Sequence, residues 1–100
     1  MNTVHQLKPA VKFDDFWQAY WRKVDKPLAR ARWDAITNGG LATRNLDRDS
    51  GEFVPVTLKA TPDEIMAGLK RYNKQIYTDK TEIRFVKHPA TWLNRGGWME

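Results

Sequence analysis

The chain contains no cysteine. That excludes disulfides, thiolate zinc sites and a cysteine nucleophile, and it suits a cytoplasmic setting. Histidine is scarce, with only His5 and His88. His5 lies in a polar leader, so spacing supports no histidine pair. His88, followed by Pro89, reads as a capping residue at a helix start. Long apolar runs are also missing. No stretch approaches the roughly 20 residues that a helix needs to cross a bilayer. The segment from Met1 to Lys12 lacks the apolar core of a signal peptide, and no membrane partner is expected.

Catalytic patterns are equally sparse. There is no glycine-rich phosphate loop of either common type. Asp47, Asp49 and Glu52 alternate around a turn in a way loosely like a calcium loop. The glycine and the closing glutamate that such a loop requires are absent, so turn chemistry is the better reading. Nothing selects a working pair of carboxylates. The expectation is a protein that is not an enzyme, with no cofactor and no metal.

What the chain does have is aromatic side chains and positive charge. It carries five Trp, four Phe and three Tyr in 100 residues, with a net charge of +5. So many large rings argue against disorder and for a core built on a few of them. The net charge favours acidic or polyanionic partners.

Residues 1–12 read as a loose leader, and 13–100 as a single helical domain. Phe13, Phe16, Trp17 and Tyr20 recur at helical spacing, which predicts a first helix over about 13–23. Asp25-Lys26-Pro27 breaks it. A second helix follows over about 27–37, with Leu28, Ala31, Ala35 and Ile36 as its apolar stripe and Trp33 to one side. Asn38-Gly39-Gly40 ends it. The stretch 41–58 reads as a small β-hairpin or an ordered loop. Its turn is Arg48-Asp49-Ser50-Gly51, and Pro55 suggests a sheet edge. Thr61-Pro62-Asp63-Glu64 is a helix start, with a capping threonine and a returning glutamate. That helix runs to about Ile76 and buries Ile65, Leu69, Tyr72 and Ile76. Ile83 to Val86 reads as extended, and a short helix occupies Ala90 to Asn94. The fold class is mainly α: three longer helices, a short C-terminal helix and the 41–58 segment.

Two features bear on function. Most of the rings belong in the core, with Trp21 the exception, set beside Arg22 and Lys23. An exposed ring can stack on an unpaired base, at roughly 1–3 kcal/mol per base. The basic residues fall in three groups: Arg22, Lys23, Lys26, Arg30 and Arg32; Lys70, Arg71 and Lys74; and Arg84, Lys87 and Arg95. Brought together, they would make a phosphate-binding surface whose affinity falls with salt. Kept apart, they are solvated helix faces.

One resemblance gathers these features. Phe13-Asp14-Asp15-Phe16-Trp17-Gln18-Ala19-Tyr20, then Arg22-Lys23-Val24-Asp25-Lys26, then Ala29, Ala31 and Trp33, resembles a recurring block of phage and prophage replication proteins. That block reads roughly Phe-x-x-Phe-Trp-x-x-Tyr-Pro-x-Lys, followed by an alanine-rich helix with a tryptophan. Its usual end resembles Phe85-Val86-Lys87-His88-Pro89-Ala90-Thr91-Trp92-Leu93-Asn94 with Trp98. The likeness covers about 13–98. Trp21 stands where proline is usual, and the 39–60 stretch is longer than the common linker. In larger proteins of this kind the block is the C-terminal domain and follows a winged-helix origin-binding domain. No such segment lies within these residues, so origin recognition is not carried over.

The resemblance implies a DNA-replication accessory module in a bacterial host cell. It would bind DNA, single-stranded rather than duplex, through Trp21, Arg22, Lys23, Lys26, Arg30, Lys70, Arg71, Lys74, Lys87 and Arg95. A replicative helicase or its loader would be a further partner. The alternative is a protein–protein adaptor, or a phage inhibitor, that docks on a helicase or another host complex handling nucleic acid.

Overall fold

The computed structural model describes residues 10–100. Most of the expected leader, together with His5, lies outside the described residues. Ala10 to Lys12 lead directly into the first helix, and Val11 packs against the core.

Helix α1 spans Phe13–Ala19. The Lys12 backbone N–H donates to the Asp15 carboxylate at 2.8 Å, which closes its first turn. Phe13, Phe16 and Trp17 face inward. The helix stops short of the expected 23 because Tyr20 adopts an extended backbone, with φ −73° and ψ 133°. This turn carries the Tyr20 ring into the core. Side chains satisfy the carbonyls that the ending helix exposes: Ala19 accepts from Asn73 Nδ2 at 3.0 Å, and Tyr20 from Lys23 Nζ at 2.8 Å.

Helix α2 spans Lys26–Thr37 and starts at Asp25, whose carboxylate accepts from the Leu28 N–H at 3.4 Å. The expected stripe of Leu28, Ala31, Ala35 and Ile36 is out of phase. Ala29, Trp33 and Ile36 are buried, Ala35 is half-buried, and Leu28 and Ala31 face solvent. The indole of Trp33 sets the phase: it offers far more area than Leu28, and Phe13 and Phe16 lie ready to cover it. Gly39 and Gly40, both at positive φ, turn the chain out of the helix. A side chain on Gly40 would also collide with Thr57.

The 41–58 segment is a hairpin. β1 (Leu41–Leu46) pairs antiparallel with β2 (Phe53–Leu58), in a register that sets Leu41 opposite Leu58 and Leu46 opposite Phe53. Asp47 takes the bond from the Asp49 N–H and one from the Ser50 hydroxyl, which is turn chemistry. The Asp47 N–H bonds the Glu52 carbonyl at 2.8 Å. Strict alternation then makes Arg44 and Pro55 a non-bonded pair, so the proline removes no ladder bond. Thr43, Asn45, Val54 and Val56 face the body of the protein, while Arg44, Leu46 and Phe53 face outward.

Helix α3 spans Pro62–Asp79 and begins as expected. The Glu64 N–H donates to the Thr61 hydroxyl at 3.2 Å, and the Thr61 N–H donates to the Glu64 carboxylate at 2.9 Å. It runs a turn's fraction beyond Ile76, to a left-handed Lys80. Ile83–Phe85 is a 3₁₀ turn rather than an extended segment, because the Phe85 and Val86 N–H groups bond back to Glu82 and Ile83. Helix α4 spans Pro89–Asn94, and a second 3₁₀ turn covers Gly97–Met99. His88 holds the N-cap position of α4 by its backbone alone, without a side-chain cap bond.

Rings from both ends of the chain share one interior. Phe16 is fully buried, with its centroid 5.3 Å from Trp33 and 6.0 Å from Trp92. Trp92 also meets Tyr20, Tyr72 and Trp98. Tyr72, expected in the core, is half-buried, with one side left at the surface. Helix α4 packs on α2, and the Gly97–Met99 turn packs on α3. That second contact is close enough that a side chain on Gly68 would strike the Trp98 backbone. No helix among the described residues is long and apolar enough to cross a membrane.

Candidate functional site

Gly68, Arg71, Tyr72 and Gln75 recur at spacings of three and four, so they share one face of α3. That face forms one wall of a cavity of about 260 Å³. Arg48 from the hairpin turn, Lys87 from the segment before α4, and Arg95 just after α4 close around it. A second cavity of about 440 Å³ adjoins it along the hairpin, lined by Arg44, Leu46, Phe53 and Asn94. Arg48, Arg95 and Glu100 border both, so the two form one groove.

The groove is held in shape by bonds from distant parts of the chain. Tyr20 donates its hydroxyl to the Lys87 carbonyl at 2.8 Å. The Lys87 N–H donates to the Tyr72 hydroxyl oxygen at 3.0 Å. Lys87 is thereby gripped on both sides of its backbone, and its ammonium lies 5.8 Å from the Tyr72 ring centroid. Burial, and then the neighbouring Tyr72, push the Tyr20 hydroxyl pKa upward, so it remains a donor throughout the neutral range. Arg71 donates to the Trp98 carbonyl at 2.6 Å and to the Glu100 carbonyl at 3.4 Å, which fixes its guanidinium plane. Arg44 donates to the Phe53 carbonyl at 3.0 Å. Asn94 docks the hairpin onto α4, accepting from the Thr43 hydroxyl at 3.2 Å.

Among the described residues, the ion pairs are Lys26 with Asp14, Arg30 with Asp34 and Arg84 with Glu82. None lies in the groove. Among the described residues, Glu100 is the only acid lining either cavity, together with Arg44, Arg48, Arg71, Lys87 and Arg95. Phe53, exposed by 61%, places a ring among these cations, while the half-buried Tyr72 ring is stacked on Trp92 and lies under the Lys87 ammonium.

The basic residues singled out from the sequence therefore divide. Arg71, Lys87 and Arg95 come together in the groove. Arg22 lies outside both cavities; its guanidinium donates to the carbonyls of Arg84 and Val86, both at 3.1 Å, and clamps the Ile83–Phe85 turn. Lys23 caps α1. Lys26 pairs with Asp14 at 3.8 Å and lies over Trp17, and Arg30 pairs with Asp34 at 3.9 Å and lies over Phe13. Lys70 borders a different cavity, beside Val11 and Asp63. Lys74 is exposed and lies outside both parts of the groove. Trp21 is half-exposed as expected, but it stands with Tyr77 and Ile76 around a separate apolar hollow.

Sequence reasoning missed Arg44, Arg48 and Phe53. For Arg44 and Phe53 the signal was strand alternation: once Leu41 and Leu58 are placed inward, the even positions of β1 and the odd positions of β2 must face out. Arg48 lies in the turn beyond β1 and had no such signal. No protein-family model, curated protein or solved structure matches this chain.

Proposed function

We propose that this protein is a DNA-replication accessory module of the phage type, which binds single-stranded DNA along the groove between the hairpin, α3 and α4. One observation carries the reading: Arg44, Arg48, Arg71, Lys87 and Arg95 meet in one groove, with Glu100 the single acid among the described residues on its walls. Lysines and arginines gathered this way release counterions when they meet phosphates. Phe53 stands exposed among them, and a ring face binds unpaired bases whatever their sequence. A paired duplex hides its base faces and would leave that ring unused. The replication setting rests on the resemblance of the Phe13–Trp33 and Phe85–Trp98 blocks to phage replication proteins.

The binding surface proposed is thus smaller than the sequence suggested. It keeps Arg71, Lys87 and Arg95, adds Arg44, Arg48 and Phe53, and drops Arg22, Lys23, Lys26 and Arg30, which are clamped or paired, with Trp21, Lys70 and Lys74, which lie outside the groove. The test is a titration of labelled single-stranded and duplex oligonucleotides at about 50 mM salt and above. Tighter binding of the single strand, lost on Arg48→Glu with Arg95→Glu, supports the reading. Absence of binding at low salt removes it.

A separate observation favours a second reading, a protein–protein adaptor or phage inhibitor docking on a helicase, a helicase loader or another host complex. Trp21 and Tyr77 are exposed by 48% and 76% around the hollow at the end of α3. Exposed rings grouped in this way are characteristic of protein contacts. Nuclease-insensitive recovery of one host protein, lost on Trp21→Ala, would favour the adaptor.

A further inference from the structure

The cations of the groove are not spread evenly along it. Arg48, Arg71, Lys87 and Arg95 surround the smaller cavity, while the larger adds only Arg44. An internal phosphodiester carries one negative charge, and four cations around one cavity, set against the one acid Glu100, still exceed what it can neutralise. A phosphomonoester carries about −1.5 to −2 at neutral pH and offers three strong acceptor oxygens. The far side of the small cavity is also closed to a continuing strand. It is backed by Gly68, Trp92 and Gly97. These are packed so tightly that a side chain on Gly97 would strike the Trp92 indole, and one on Gly68 would strike Trp98.

Accepting the strand-binding reading above, we propose that the cavity between α3 and Lys87 seats the terminal phosphate of a DNA strand whose body runs along the hairpin. Arg71 supplies a prearranged donor, because two backbone carbonyls fix its guanidinium plane. Tyr20 and Tyr72 fix the backbone of Lys87, from which its ammonium extends over the Tyr72 ring. Little freedom of the Arg71 side chain is lost when an anion arrives, which favours binding. Arg48 and Arg95 border both cavities and face the terminal phosphate together with the first linkage of the strand. The module would then recognise strand ends, such as those at nicks and gaps, in preference to the interior of a strand.

The test uses a short oligothymidylate with an internal fluorophore in three forms: 5′-phosphorylated, 3′-phosphorylated, and hydroxyl at both ends. Anisotropy at about 50 mM salt gives each Kd. One phosphorylated form is expected to bind at least about fivefold more tightly than the hydroxyl form, since hydrogen bonds to a doubly charged group are stronger. Lys87→Gln and Arg95→Gln should erase that preference, whereas Arg44→Gln should weaken all three forms alike. Equal Kd values for the three forms overturn the end-binding proposal and leave strand binding intact. So does an end preference that survives in both variants. If none of the three forms binds, strand binding itself falls and this proposal falls with it.

Discussion

The hydroxyl of Tyr20 donates to the carbonyl of Lys87 at 2.8 Å, across 67 residues of sequence. Tyr72 takes the N–H of the same residue at 3.0 Å. A core ring that closes α1 and a half-buried ring on α3 therefore hold one basic residue between them. The aromatic core and the basic groove are joined at this point, so damage to the core should be felt in the groove.

Tyr20→Phe keeps the ring and removes the donor. The Lys87 carbonyl is then left with one partner fewer in a part-buried place, at a cost of about 1 kcal/mol. Affinity for single-stranded DNA should fall with it, because Lys87 loses one of its two anchors. The substitution should also alter the alkaline limb of stability. Burial raises the Tyr20 pKa above its value of about 10 in an exposed chain. The folded protein then holds a proton that the unfolded chain releases. This contribution is fully present below that pH and is lost as the pH climbs beyond it. Urea unfolding of wild type at rising alkaline pH should show a decline that Tyr20→Phe makes shallower.

The start of α3 predicts the opposite limb. The Thr61 backbone N–H, and then its hydroxyl, hold the Glu64 carboxyl below the usual glutamate range. A depressed carboxylate stabilises the fold above the pKa of the unfolded chain, and that contribution is lost as the pH falls through the folded value. Glu64→Gln should flatten the fall in stability between neutral pH and acid. Thr61→Ala should cost roughly 1 kcal/mol at neutral pH, the usual loss for a capping threonine. Thermal melts across the acid range check both.

These two elements also mark how far the sequence could be read. The Thr61-Pro62-Asp63-Glu64 start is local chemistry, complete within four residues, and it holds in the structure. The aromatic spacing from Phe13 placed α1 correctly and identified its buried face. The end of α1 was not legible, because it depends on Tyr20 reaching Lys87 and on Asn73 reaching Ala19, both far away in sequence. The phase of α2 failed for a related reason. Counting apolar residues favoured Leu28, whereas the volume available beside Phe13 and Phe16 favoured Trp33. The site was legible in part. Arg71, Lys87 and Arg95 stood out as cations, but sequence alone could not tell that Arg71, held on the Trp98 and Glu100 carbonyls, borders the groove while Arg22, held on those of Arg84 and Val86, does not. Arg44 and Arg48 needed the hairpin register.

Gly68→Ala tests the contact that closes the groove from behind. Alanine would ordinarily favour a helix over glycine by up to about 1 kcal/mol. Here its methyl group would enter the space of the Trp98 backbone. Overpacking of this kind costs roughly 1–3 kcal/mol, so the net effect should be destabilising. The displaced turn carries the carbonyls that hold Arg71, so DNA affinity should drop further than the loss of stability alone explains. Chemical denaturation together with oligonucleotide titration at a temperature where the variant remains folded separates the two effects. A variant more stable than wild type would show that the turn moves away freely.

Salt dependence distinguishes a working groove from a merely basic surface. For single strands, the logarithm of the binding constant falls against the logarithm of salt concentration with a slope of about −0.7 per phosphate neutralised. If the five groove cations each meet a phosphate charge, the slope should lie near −3 to −4. Arg44→Gln, Arg48→Gln and Arg95→Gln should each make it shallower by about 0.7. Lys26→Gln and Arg30→Gln should leave it unchanged, because those cations already face Asp14 and Asp34. Phe53→Ala removes a ring and no charge. It should weaken binding by roughly 1–3 kcal/mol at every salt concentration while the slope stays the same. If the slope responded equally to Lys26→Gln and Arg95→Gln, the attraction would belong to net charge alone and the groove would have no special part in it.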